Sequence, residues 1–329
     1  MKRLGILALF AGLALLIGLV VYEGAADIAT ILARAGWVLC WLVPLHLIPV
    51  ALDARGWQVL LQKDAPNLAY LSWVAAVREA VNRLLPAANI GGEVLGIRLG
   101  ALAVATPGVV PASVIVEVLL TMIGQYVLCV LGVVMTMFAV AALPGVGSMV
   151  TALLLSLLVP LLLVLMLKKG DVFTRIELLA RRLIGADNKA LADFDGPQLD
   201  LALRTLLKRY RVLAAALAWQ LSGMLFGCLE TWLALSLLGH PVGLFAALSI
   251  EALSLIIRSV AFFVPGGLGI QEAGIIMLGR LYGIDAEVAL SMALVRRMRE
   301  VTFGVPALIS WQWFEARRFR VNATATLKS

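Results

Sequence analysis

Apolar and polar positions fall in blocks along this chain, not residue by residue. An apolar run from Leu4 to Tyr22 follows Met1, Lys2 and Arg3. It is longer than the about 7–15 apolar residues of a signal-peptide core, so it reads as a first transmembrane helix that starts in the cytoplasm. A second run covers about Ala35 to Leu52 and ends at Asp53 and Arg55, with Trp37, Trp41 and Trp57 near its ends as in an aromatic belt. Four more runs follow: 111–143, 149–167, 212–238 and 286–313. The first of these holds Glu117 and Gln125, and the third holds Glu230. Each approaches or exceeds the roughly 20 residues that span a bilayer.

Two further blocks are apolar at both ends and broken in the middle. Residues 73–104 carry Arg78, Glu79, Arg83, Glu93 and Arg98 around a break at Pro86, Asn89, Gly91 and Gly92. Residues 245–282 carry Glu251, Arg258 and Glu272 around Pro265, Gly266, Gly267 and Gly269. Each half is short for a span, and a charge at mid-membrane costs about 2.5–3.5 kcal/mol on insertion scales. Both blocks therefore read as re-entrant helical hairpins, with two complete crossings as the alternative.

The polar segment 168–211 holds ten Lys and Arg residues against six acids, which places it in the cytoplasm. Within it, Phe173 to Ile184 has helical periodicity and reads either as a surface helix or as part of a solvated linker. With the N-terminus, this loop and the tail 314–329 all inside, the first hairpin enters from the cytoplasm and the second from the opposite side. Both contain a Pro, six residues and a Glu, ending at Glu93 and Glu272. The expected fold is an all-α integral membrane protein with about six transmembrane helices and two broken hairpins in an inverted repeat.

Composition sharpens this picture. Hydrophobic residues make up 62% of the 329 and charged residues 14%, well below the roughly 25% of soluble domains. The net charge of +7 then reads as loop charge that orients the chain against anionic lipid, not as a nucleic-acid footprint. Cys40, Cys129 and Cys228 lie in apolar runs and read as small core residues; they fit neither a disulfide nor a metal site. No cofactor is expected. His46, between Pro44 and Pro49, reads as a packing or cavity-lining residue.

The candidate chemistry is anion binding. The second half-helix of each hairpin turns its free N–H groups toward the middle of the protein. Arg83, Arg258, Arg296 and Arg299 supply charge-assisted contacts, with Gln271 beside them. Glu93 and Glu272 balance the arginines or take part in proton coupling, and Glu79, Glu117, Glu230, Glu251 and Glu300 are supporting charges. Gly266, Gly267 and Gly269 permit positive φ and close backbone approach. Structural alternatives stand beside these readings. Arg296, Arg297 and Arg299 would also mark the cytoplasmic end of a shorter helix. Glu79 and Arg83 would also stabilise an interfacial helix as an i,i+4 pair. Glu117 and Glu230 would also be satisfied by neighbouring helices, and the breaks would also serve as kinks.

At NRLLPAANIGGE (82–93) and FFVPGGLGIQEAG (262–274) the chain resembles the flippase-like family, the membrane domain found in lysylphosphatidylglycerol synthase. Within it, the chain resembles the hopanoid-biosynthesis-associated HpnL group. The resemblance implies a lipid-translocating domain of the inner membrane, without an aminoacyl-transferase domain. It also implies hopanoid lipids as substrate and hopanoid-biosynthesis proteins as partners. The family's arginine after the first GGE is not matched in place, since Gly96 and Arg98 follow Glu93. The leading expectation is a lipid transporter and not an enzyme. The alternatives are a membrane-embedded transferase, with Asp187, Asp193 and Asp195 as its acid cluster, or a scaffold for lipid synthesis.

Overall fold

A computed structural model describes residues 15, 17–85, 90–139, 151, 154–155, 157–169, 171–184, 195–260 and 267–326. All regular structure among them is helical. Helix α1 (Ala25–Ala35) passes through a 3₁₀ segment (Gly36–Trp41) and the short α2 (Leu42–Leu45) into α3 (Leu47–Leu61). Pro44 and Pro49 flank the α2–α3 junction. Neither has an N–H to donate, so the helical ladder is interrupted there and His46 sits at the step. Then come α4 (Leu68–Leu84), α5 (Gly91–Ala103), α6 (Val109–Ala139), α7 (Leu158–Lys169), α8 (Val172–Ile184) and α9 (Gly196–Leu207). The chain closes with α10 (Tyr210–Leu237), α11 (Leu244–Val260), α12 (Ile270–Leu281) and α13 (Ala286–Thr326).

Among the described residues, three stretches are long and apolar enough to cross a membrane: Ala25–Asp64, Val109–Phe138 and Tyr210–Leu237. Three sequence boundaries move, the first being the start of the second run, which shifts from Ala35 to Ala25. The run read as ending at Asp53 continues as helix to Leu61, because Asp53 faces a polar cavity inside the protein and has no need to reach the membrane surface. The run read as ending at Trp313 continues to Thr326 in α13, whose 41 residues extend about 60 Å. Arg296, Arg297 and Arg299 thus lie within one continuous helix and not at the end of a shorter one. The basic segment contains two helices, α8 and α9, that pack on each other, and α9 also packs on α6. Asp200 of α9 accepts from the Phe173 and Thr174 amides at the start of α8, and Gly196 N–H donates to Glu177. Pro86, Pro265 and Gly266 lie outside the described residues, as do Asp187 and Asp193.

The packing has a twofold pattern. Helices α3–α6 correspond in order to α10–α13: Ile270 at the start of α12 lies 179 residues after Gly91 at the start of α5, and Glu272 lies 179 after Glu93. Helix α4 packs on α13 as α11 packs on α6, and α3 packs on its own counterpart α10. The central α3–α10 pair is antiparallel, since Gly56 meets Ala216 and Gln220 while Pro49 and Leu52 meet Gly223. The α4–α13 pair is also antiparallel, with Gly304 against Ala80 and Leu84 and Trp73 hydrogen-bonded to Ser310.

Apolar side chains face both ways. Trp57, Leu71, Val74, Leu99 and Val114 form one buried cluster among α3–α6, and Ile250, Ile275, Leu290 and Leu235 form another among α10–α13. Large apolar side chains also cover the outside, among them Trp37 (89% exposed), Leu155, Leu162, Val130, Phe138, Ile309 and Trp313. An aqueous surface would not tolerate so continuous an apolar cover, whereas lipid matches it.

Candidate functional site

Charged residues are gathered inside, around a cavity of about 480 Å³. Helices α3, α4, α10, α11 and α13 supply most of its wall. It opens on Arg78, Arg83, Arg258, Arg296 and Arg299, faced by Asp53, Glu79, Glu93, Glu230 and Glu251, with His46 among them.

The first hairpin closes its two arms by glycine. A Cβ on Gly92 would lie 2.4 Å from the Arg78 carbonyl oxygen, and one on Gly96 would lie 2.6 Å from Arg78 Cδ, so only bare backbone fits. Asn82 accepts the Gly92 N–H at 2.8 Å and satisfies one of the free amides at the start of α5. Arg78, 7% exposed, then lies between the arms. Its Nη1 donates to both Glu117 oxygens at 3.0 and 2.9 Å, its Nη2 donates to Glu93, and its guanidinium stacks 5.1 Å from the Trp57 ring. Trp57 in turn donates to Ser113 at 2.9 Å.

A second set of contacts runs between the two halves. His46 Nε2 lies 3.1 Å from Glu79 and Nδ1 lies 3.2 Å from Glu230. Glu79 also pairs with Arg83 at 4.0 Å, Arg83 with Glu300 at 3.8 Å, and Glu300 with Arg297 at 2.9 Å. Arg297 then donates to Glu272 at 2.7 Å, and Arg299 donates to Glu230. Eight side chains on five segments thus form one chain of ion pairs, from Glu272 of the second hairpin through Glu79 and Arg83 of the first to Arg299. Separately, Arg296 pairs with Glu251, which also accepts from Thr231 at 2.7 Å.

Arg258 differs from the other arginines of the cavity wall. Among the described residues it makes no ion pair, and its buried Nε has no hydrogen-bond partner. Its electrostatic neighbours are Arg83 and Arg296 as well as Glu251 and Glu300.

The structure brings Arg83, Glu93, Arg258, Arg296, Arg299, Glu79, Glu230 and Glu251 to one cavity. It does not bring Gly267, Gly269, Gln271 or Glu272 to that wall. Gly267 and Gly269 have φ of +62° and +78°, which glycine adopts freely, and Glu272 is 1% exposed beneath Arg297. Gly92 serves the contact between the hairpin arms and Glu117 anchors Arg78, so these act behind the cavity, while Gly91 opens α5. Two charged residues of the cavity wall, Asp53 and Arg78, had not been singled out for the site, and His46, read as packing or cavity-lining, does line it. The prolines around His46 and the i,i+4 spacing of Arg78 and Asn82 were the available signals.

A small polar recess shares Glu230, Arg296 and Arg299 with the cavity and reaches Leu42 and Val295. Beyond Val295 lies an outward groove of about 310 Å³, lined by Leu32, Trp37, Leu39, Leu294 and Met298. The polar recess and the apolar groove therefore share Val295.

The family described as Lysylphosphatidylglycerol synthase TM region matches residues 6–309. No curated protein matches this chain, and no solved structure does.

Proposed function

The chain belongs to the family of lysylphosphatidylglycerol synthase transmembrane regions, and on that premise we propose that it moves a membrane lipid with an anionic headgroup across the inner membrane. The headgroup occupies the charged cavity while the tail lies in the groove beyond Val295. The observation that carries this reading is Arg258: a half-buried guanidinium on the cavity wall, with its Nε buried and unpartnered and no carboxylate in ion-pair range, is costly unless an anion completes it. The role is transport and not catalysis. The two broken hairpins are re-entrant and open to opposite faces, with both chain ends in the cytoplasm. The antiparallel α3–α10 pair supports that arrangement, since a twofold relation across it exchanges the two ends of the repeats. The HpnL-like resemblance adds hopanoid lipids as tail class and hopanoid-biosynthesis proteins as suppliers, and the apolar groove suits a bulky hydrocarbon.

Reconstitution tests the reading. Proteoliposomes containing a fluorescent anionic phospholipid are assayed for its movement between leaflets. Arg258→Ala is expected to lower the rate more than tenfold while leaving the thermal midpoint near wild type, because no ion pair is broken. An unchanged rate in folded Arg258→Ala protein refutes the headgroup site.

A further inference from the structure

The His46 imidazole sits between two carboxylates from the two halves of the molecule. One ring nitrogen faces Glu79 at 3.1 Å and the other faces Glu230 at 3.2 Å. A neutral imidazole has one N–H and donates to one of them, leaving a lone pair against the other carboxylate. A ring protonated on both nitrogens donates to both. The geometry is therefore a receptor for one additional proton, in a side chain 12% exposed on the cavity wall.

The other charged groups decide when that proton is held. From α4, Glu79 faces the ring, with Arg83 behind it shared with Glu300. From α10 comes Glu230, and from α13 comes Arg299, which pairs with Glu230. The Phe303 ring of α13 meets the imidazole edge-on at 5.2 Å, and Asp53 of α3 lines the same cavity. Glu230 thus has two cationic candidates, Arg299 and protonated His46.

We propose that His46 is a proton-coupling site: an anionic headgroup that takes Arg299 and Arg258 leaves Glu230 to His46, which then binds a proton from cavity water. When the headgroup leaves, Arg299 returns to Glu230 and the proton is released. One negative charge enters with one positive charge, so the occupied cavity gains no net charge on the way through the membrane. The proton is delivered by hydronium in the cavity water, so one O–H bond breaks as one N–H bond forms, and the reverse happens on release. The ion-pair chain through Arg83, Glu300 and Arg297 extends this balance to Glu272 of the second hairpin. This inference rests on the lipid-transport reading above and adds to it an energy source, the proton gradient.

The test uses full-length protein in neutral detergent, weakly buffered, with a pH-indicating dye. The probe is dioctanoyl phosphatidylglycerol, whose phosphodiester keeps its single charge throughout the neutral range. Wild type is expected to take up as much as about one proton per bound probe. Its affinity is expected to weaken by up to about tenfold per pH unit above the titration of the site. His46→Gln, whose amide still bridges both carboxylates but cannot bind a proton, should bind the probe with no uptake and a flat pH profile. His240→Gln, which alters the chain's other histidine, should behave as wild type. Probe binding with equal proton uptake in wild type and His46→Gln overturns the coupling and leaves the lipid reading standing. Probe binding without pH dependence in wild type does the same. No binding by wild type at any pH overturns the lipid reading and this inference with it.

Discussion

Replacing Arg78 by Met removes a guanidinium and keeps most of its stem. The consequence falls mainly on Glu117, which is 2% exposed and has Arg78 as its only ion-pair partner among the described residues. Glu93 is a quarter exposed at the cavity, lies 3.5 Å from Asn82, and reaches water when Arg78 is gone. Breaking a buried pair by removing one partner costs about 3–5 kcal/mol, whereas replacing both by apolar groups is often neutral. Arg78→Met is therefore expected to destabilise by about 3–5 kcal/mol, and Arg78→Met with Glu117→Leu should return to within about 1 kcal/mol of wild type. Loss of the Trp57 stacking adds up to about 1 kcal/mol in both variants and so cancels in the comparison. Reversible unfolding by SDS in mixed micelles, followed by helix circular dichroism, gives both differences. A double variant no more stable than Arg78→Met refutes the argument that an orphaned Glu117 carries the cost.

Two other expectations concern structure alone. Gly92→Ala places a methyl within 2.4 Å of a backbone oxygen and forces the first hairpin's arms apart, at about 1–3 kcal/mol; Gly227→Ala, with nothing within 4 Å, should be near neutral in the same thermal scan. In the α8–α9 pair, the Gly196 N–H and Arg181 hold the Glu177 carboxyl below its ordinary value of 4.5. Because the folded value is lowered, this contribution is present above pH 4.5 and is lost as pH falls through the lowered value. Amide exchange at Gly196, corrected for intrinsic pH dependence, should therefore lose protection in acid, and Glu177→Gln should remove that dependence.

The parts of this fold that were legible in the sequence are those that backbone chemistry writes locally. Pro265 with Gly267 and Gly269 interrupts an apolar run, and α12 does begin at Ile270. The recurrence of Pro and Glu at one spacing foreshadowed the correspondence of α5 with α12. What was hidden is non-local. His46 meets a carboxylate 184 residues away, and no pattern around Pro44 and Pro49 announces it. Helix α4 turns Arg78 and Asn82 toward α5 but Glu79 and Arg83 toward His46 and α13; adjacent residues in sequence serve different neighbours because a helix advances 100° per residue. Asp53 looked like a membrane boundary because a charge in an apolar run ends it unless the protein interior is polar there.

The proposed opening of the two hairpins to opposite sides of the membrane is measured most directly by accessibility. With Cys40, Cys129 and Cys228 replaced, single cysteines are placed at Ile90, which is 59% exposed, and at Leu268. A membrane-impermeant thiol reagent is then applied to each face in turn. Ile90→Cys is expected to react from the cytoplasmic face alone and Leu268→Cys from the opposite face alone. Reaction of both from one and the same face would contradict that opening.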